Sequence, residues 1–160
     1  MRSLARFLMI LTLVVWVGGI IFFSFVVAPT LFATLPKPEL AVTVVGASLT
    51  ALHLIGIVCG ALLFVLTFII PVGKIRAVRA LVIVMVLLTA ISQFVVMPQM
   101  QHIRDLVGGS IEALPPKDAG RAAFDRLHQF SVALEGATLM AGLIVIGLIS
   151  REIKEQTRSQ

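Results

Sequence analysis

Polar side chains capable of acid–base and hydrogen-bonding chemistry recur in a strongly apolar segment, residues 124–150. His128, Ser131 and Glu135 follow one another there at helical spacing, so they share one face of a predicted helix. Polar groups inside a membrane are costly and usually face the bundle interior or a watery cavity, where they mark functional sites. This segment therefore contains half of a candidate site.

His53 and Gln93, on two other apolar segments, lie at the same predicted depth as Glu135. With a rise of about 1.5 Å per residue from the cytoplasmic boundary, His53 is roughly 25 Å deep, Glu135 roughly 23 Å and Gln93 roughly 21 Å. An isolated ionised carboxylate is too costly at this depth, so Glu135 must be protonated, paired with His53 or open to a cavity. We predict that His53, Gln93, Ser131 and Glu135 form a ligand-binding site; a purely structural polar pair is the alternative.

Histidine and methionine residues collect near the predicted outer end of the bundle. Thioether and imidazole groups together suit copper, and imidazole groups alone suit zinc or haem iron. The candidate metal ligands are His128, His102, Met97 and Met100. Copper or zinc is the expected metal if these residues bind one, and ordinary packing is the alternative role for the methionines.

A haem held between His53 and His128 is the second functional hypothesis, for electron transfer or a redox enzyme. The two histidines differ in predicted depth by about 8 Å, which counts against that pairing. The chain has no phosphate-binding glycine loop, no paired-histidine or paired-cysteine metal motif and no nucleophile elbow. The sequence therefore indicates no enzyme class and favours a non-enzymatic role.

The elements that must position these residues are membrane-spanning helices. Of the 160 residues, 59% are hydrophobic and only 13% are charged, more apolar surface than a soluble core can bury. Four apolar segments, each at least as long as the about 20 residues that cross a bilayer as a helix, cover residues 7–32, 40–70, 77–97 and 124–150. The sequence predicts an all-α fold: a four-helix transmembrane bundle with antiparallel up-down topology, forming a single domain of residues 1–160 with an outer loop at 99–123.

Positive charges collect on one side of this predicted bundle, whereas charges on the other side nearly cancel. The basic residues of the first side are Arg2, Arg6, Lys74, Arg76, Arg79, Arg151, Lys154 and Arg158. The positive-inside rule then predicts cytoplasmic N and C termini. The expected location is the inner membrane of a bacterium. The net charge of +5 is interpreted as a topology signal, so the expected partner is the lipid bilayer and not nucleic acid.

Small residues recur along three of the predicted helices. Helices in lipid approach closely where side chains are small, so these positions predict tight packing within the bundle. A homo-oligomer or a larger membrane complex formed through the same glycine faces, with this chain as a structural subunit, is the alternative. The glycines concerned are Gly18, Gly19, Gly46, Gly56, Gly60, Gly136, Gly142 and Gly147.

Two motifs resemble a known family. Residues 16–32, Trp-Val-Gly-Gly-Ile-Ile-Phe-Phe-Ser-Phe-Val-Val-Ala-Pro-Thr-Leu-Phe, resemble the opening helix of the transmembrane protein 205-like family, whose bacterial members form a domain of unknown function. Residues 124–131, Phe-Asp-Arg-Leu-His-Gln-Phe-Ser, resemble its final-helix signature. The resemblance implies a small four-helix membrane protein, with a human relative associated with resistance to platinum drugs. Glu135 departs from the family pattern, which tends to have an amide there.

Trp16-Val-Gly-Gly, followed by a proline, is more weakly similar to copper-resistance D-type membrane domains. Together with the polar residues, this similarity favours a protein that binds a metal ion or small ligand in a polar site in the outer half of the bundle. Handling or export of a soft metal is the most concrete form of that hypothesis.

Overall fold

A computed structural model describes residues 2–70, 74–108, 110–111 and 113–158, although not the side chains of Arg2 and of residues 152–158. Two of the eight helical elements in this part of the chain are short π-helical turns. In chain order the elements are α1 (Arg2–Phe22), a first π turn (Phe23–Val27), α2 (Ala28–Thr34), α3 (Pro38–Ile69), α4 (Ile75–Ile91), a second π turn (Ser92–Val96), α5 (Met97–Leu106) and α6 (Ala119–Arg158).

The elements combine into helices that are long and apolar enough to cross a membrane. Within the described ranges there are four of them, and no strand: Ser3–Thr34, Pro38–Ile69, Ile75–Leu106 and Ala119–Arg151. The predicted all-α, four-helix transmembrane fold is therefore confirmed. The cytoplasmic location of the termini stays a prediction, and part of its charge pattern (Arg2, Lys154 and Arg158) falls on side chains outside the described set.

The four spans form a ring in which α1 packs on α3, α3 on α4, α4 on α6 and α6 back on α1. The core between them is apolar and includes Met9, Trp16, Leu63, Met85 and Val145, each no more than 1% exposed. Other large apolar side chains project outward instead, as lipid contact requires. Phe25, Val58, Phe68 and Phe94 are examples, all at least 63% exposed.

The connection between the third and fourth spans is shorter than predicted. The prediction ended the third helix at residue 97, with continuation beyond Pro98 to the glycines as the alternative, and began the fourth at residue 124. In the structure α5 continues to Leu106 and α6 begins at Ala119, leaving 107–118 as the connection. This connection and the turn between α2 and α3 lie at the same end of the bundle, since Ser110 Oγ donates to Glu39 Oε1 at 2.8 Å. We call this end the loop end.

The π turns explain why proline does not terminate the first or third span. Proline lacks an N–H group, and in an α-helix its ring collides with the carbonyl four residues earlier. Each π turn ends two residues before a proline, Pro29 or Pro98, and the N–H of the residue between bonds five residues back, Ala28 to Phe23 and Met97 to Ser92. The widened turn therefore accommodates the ring, and the helix continues.

Arg79 fixes the junction of α3 and α4 at the opposite end. Its Nε donates to Thr67 Oγ1 at 3.0 Å and its Nη2 to the Thr67 carbonyl at 3.1 Å. The guanidinium also lies 3.9 Å from the centre of the Phe68 ring. The Thr67 carbonyl is one of the last four of α3, which have no partner within the helix, so Arg79 caps the end of α3.

The predicted packing of small residues is seen at α3. A Cβ atom added at Gly56 would lie 2.5 Å from Trp16 Nε1, and one at Gly60 would overlap a methyl group of Val86 and lie 2.9 Å from the Trp16 ring. The indole of α1 therefore fills the groove between these glycines. Gly18, Gly136 and Gly147 have nothing within 4 Å of an added Cβ, and the use of such faces for an oligomer stays a prediction.

Candidate functional site

His53, Gln93 and Glu135 meet inside the bundle. His53 Nδ1 lies 2.9 Å from Gln93 Oε1, and His53 Nε2 lies 3.2 Å from Glu135 Oε2. The three residues come from α3, the second π turn and α6, so one imidazole ties three spans together. Matching depth predicted this meeting, because helix rise is constant. A ligand-binding role for the three residues stays a prediction.

The burial of this cluster is uneven. His53 is 1% exposed, whereas the Glu135 side chain retains 14% exposure. The Gln93 carbonyl oxygen can only accept, so it takes the Nδ1–H of His53. His53 Nε2 and Glu135 Oε2 then face each other across one proton. A cluster of this kind can transfer that proton or exchange it for a cation, and Glu135 is its more accessible side.

The second π turn delivers two consecutive side chains to different neighbours. Gln93 reaches His53 on α3, while Ser92 Oγ lies 3.4 Å from Ser131 Oγ on α6. Consecutive residues diverge by about 100° around a helix, so they suit contacts with two separate helices. Ser131, a predicted site residue, is 7% exposed and one helical turn before Glu135. It therefore belongs to the same polar layer.

Thr89 contributes a polar atom without a partner. Its side chain is 2% exposed, and its Oγ1 forms no hydrogen bond within the described structure. Thr12, Thr50 and Thr138 in the spans each donate to the carbonyl four residues earlier. Thr89 is not among the predicted site residues, although its polarity within an apolar segment, one turn before Ser92, had marked it as a polar group of the third span.

Replacing Thr89 by valine is expected to leave stability unchanged or raise it by about 1 kcal/mol, because valine has the same shape and removes a buried, unpaired hydroxyl. Thermal unfolding of the detergent-solubilised protein measures this. Thr138→Val is the matched control, since it removes a hydroxyl whose bond is satisfied and should be the more destabilising of the two. A larger loss for Thr89→Val would show that its hydroxyl has a stabilising partner.

The four residues predicted as metal ligands at the loop end differ widely in exposure. Met97 is 7% exposed, Met100 is half-buried, and His102 and His128 are exposed. No group of three or more histidine, cysteine, aspartate or glutamate side chains in the described residues is arranged to hold a metal ion. Metal binding by this set stays a prediction that rests on residue chemistry.

A second polar site at the loop end was missed by sequence reasoning. A cavity of about 620 Å³ is lined by Lys37, Pro38, Glu39, Arg104, Gly108 and Ser110. Lys37 and Arg104 had been interpreted only as part of a balanced outer charge. These residues come from two parts of the sequence more than 60 residues apart, so only the folded chain brings them to one cavity.

Comparison with known proteins gives a family but no activity. No curated protein and no solved structure matches the chain. Residues 11–107 match a family described as a domain of unknown function, DUF4149. The match includes His53 and Gln93 but ends before Ser131 and Glu135. It supports the expected domain of unknown function, without extending to transmembrane protein 205-like or copper-resistance D-type proteins. The match covers more than half of the chain, and the chain therefore belongs to the DUF4149 family.

Proposed function

We propose that this integral membrane protein binds a small ligand at His53, Gln93 and Glu135, with a zinc ion as the most concrete candidate. The observation that carries the proposal is the approach of His53 Nε2 to Glu135 Oε2 at 3.2 Å. A zinc ion bonded to both atoms at about 2.0–2.2 Å, at the tetrahedral angle, would hold them about 3.4 Å apart. The ion can therefore replace the shared proton with little movement of either side chain.

Gln93 supports the same proposal from the other side of the imidazole. Metal-binding histidines commonly donate the second ring N–H to an oxygen that fixes tautomer and orientation. Gln93 Oε1, 2.9 Å from His53 Nδ1, has that position. Imidazole and carboxylate ligands suit zinc better than copper(I), which prefers sulfur ligands. The Ser131 hydroxyl, one turn from Glu135, offers a further polar contact.

The outer residues His102, His128, Met97 and Met100 extend the proposal to handling or export of a soft metal, with residue chemistry as the support. Haem is less well supported, because both His53 nitrogens already have hydrogen-bond partners and iron ligation would break one of them. A structural subunit that binds its neighbours through α3 is also less well supported, since Trp16 of the same chain fills the Gly56–Gly60 groove.

Metal retention tests the proposal. Protein purified in detergent, stripped with a chelator and dialysed against zinc is expected to retain one equivalent by elemental analysis. His53→Ala and Glu135→Gln should lose at least tenfold in affinity, because each removes one of two protein ligands. His102→Ala is the matched control and should bind like the parent.

Two outcomes would contradict the inner site. If the parent protein retains no zinc, the proposal that the inner site binds a metal ion is wrong. Loss of zinc in His102→Ala with retention in His53→Ala would assign the metal to the outer residues instead.

A further inference from the structure

The cavity at the loop end has the dimensions of a small-molecule site and is open to its surroundings on one side. Its volume of about 620 Å³ lies within the range of roughly 300–1,000 Å³ typical of ligand pockets. Gly108 lines it with a positive φ of 74°, a conformation that side chains other than glycine rarely adopt. That turn follows the end of α5, and Ser110 lines the same cavity. The cavity lies apart from the His53 cluster, and the inference drawn from it is independent of the proposal for that cluster.

Both signs of charge line this cavity. Arg104 Nη2 donates to Thr43 Oγ1 at 3.4 Å, which orients the guanidinium, and an arginine has five N–H donors, so others remain for a ligand. Lys37 adds a second positive charge. Glu39 Oε1 accepts from Ser110, and the second carboxylate oxygen can accept from a donor on the ligand. The cavity therefore offers a cationic side for phosphate and an anionic side for a protonated amine.

The position of the cavity matches the headgroup layer of a bilayer. Pro38–Ile69 and Ile75–Leu106 have 32 residues each, a length of about 48 Å against roughly 30 Å of hydrocarbon, so their ends extend to the headgroups. Leu40 and Val44, four residues apart on one face of the beginning of α3, are 48% and 41% exposed. An apolar surface therefore continues from the cavity along the path that acyl chains would take.

We infer that this cavity binds the headgroup of a phospholipid with a primary amine, that is, a phosphatidylethanolamine. The phosphate contacts Lys37 and Arg104, and the ammonium donates to Glu39. A phosphatidylglycerol leaves the Glu39 carboxylate facing a headgroup without an ammonium. A phosphatidylcholine has a quaternary ammonium that cannot donate a hydrogen bond. The amine is therefore the feature that the cavity selects.

Native mass spectrometry of the full chain, delipidated in detergent, tests this inference. Equal concentrations of phosphatidylethanolamine, phosphatidylglycerol and phosphatidylcholine are added, and lipid adducts are counted. We expect about tenfold preference for phosphatidylethanolamine, the effect of one hydrogen bond to a charged group. Glu39→Gln should abolish the preference, and Arg104→Gln should weaken binding of all three lipids. Lys117→Gln, which removes an exposed positive charge from the connection outside the cavity, should bind like the parent.

Several outcomes would overturn the inference. Equal adducts of the three lipids on the parent protein would do so without any variant. A preference that survives Glu39→Gln would show that the amine is not read by this carboxylate. An equal loss in Lys117→Gln and Arg104→Gln would indicate only general electrostatic attraction. Displacement of the lipid by equimolar inorganic phosphate would assign the cavity to a soluble phosphate compound.

Discussion

Replacing His53 alone by leucine is expected to destabilise the protein by about 3 kcal/mol, and replacing His53 and Glu135 together by leucine is expected to restore most of that loss. Removing one member of a buried pair leaves the other desolvated without a partner, whereas an apolar pair of similar volume removes both desolvation costs. The value is at the low end of the range for buried pairs, because the Glu135 side chain is 14% exposed.

Thermal unfolding of the parent, both single variants and the double variant in detergent provides this double-mutant cycle. The double variant also separates stability from function, because it should fold and yet bind no zinc. If the double variant lost as much unfolding free energy as the two single variants together, the side chains would not be coupled and the 3.2 Å contact would contribute nothing.

Gly60→Ala is expected to be the most disruptive of the helical glycine substitutions in the described part of the chain, with a loss of about 1–3 kcal/mol, the usual cost of overpacking. The added methyl group would overlap a Val86 methyl group and press on the Trp16 ring, both on neighbouring helices. Because the indole is 1% exposed and enclosed by the bundle, it has little room to move away. Thermal unfolding followed by circular dichroism measures the loss.

Gly147→Ala is the matched control for Gly60→Ala. It makes the same chemical change in a helix, but nothing lies within 4 Å of its added Cβ. Alanine favours helix over glycine by up to about 1 kcal/mol, so this variant should be as stable as the parent or more stable. Equal unfolding temperatures for the two variants would mean that α1 and α3 pack less closely than the structure shows.

The spans and the buried cluster were predictable because their determinants are periodic. Apolar length gave four spans, and a constant rise per residue placed His53, Gln93 and Glu135 at one level before any contact was known. The same count placed His128 nearer the outer end, and the structure leaves its side chain exposed. In long, regular helices the number of residues from the membrane boundary determines the depth of a side chain, and this count was sufficient for these predictions.

The end of the third span was predicted only as two alternatives, a stop before Pro98 or a continuation to Gly108, because Pro98 is ordinarily a stop signal. The signal that it is not one here is a short recurrence: Phe25-Val-Val-Ala-Pro29 in the first span and Phe94-Val-Val-Met-Pro98 in the third. Each pattern contains the end of a π turn in the same register. The cavity at the loop end was missed for a different reason, since only tertiary folding brings Ser110 to Glu39.

Because Trp16 contacts Gly56 and Gly60, the protein contains an intrinsic fluorescent probe of its helix packing. The chain has one tryptophan and no tyrosine, so its ultraviolet emission comes almost entirely from a single indole ring. That ring lies between α1 and α3, against a glycine one helical turn from His53. A change in the wavelength or the intensity of tryptophan emission therefore reports a change at the contact between α1 and α3, next to the polar cluster, without any attached dye.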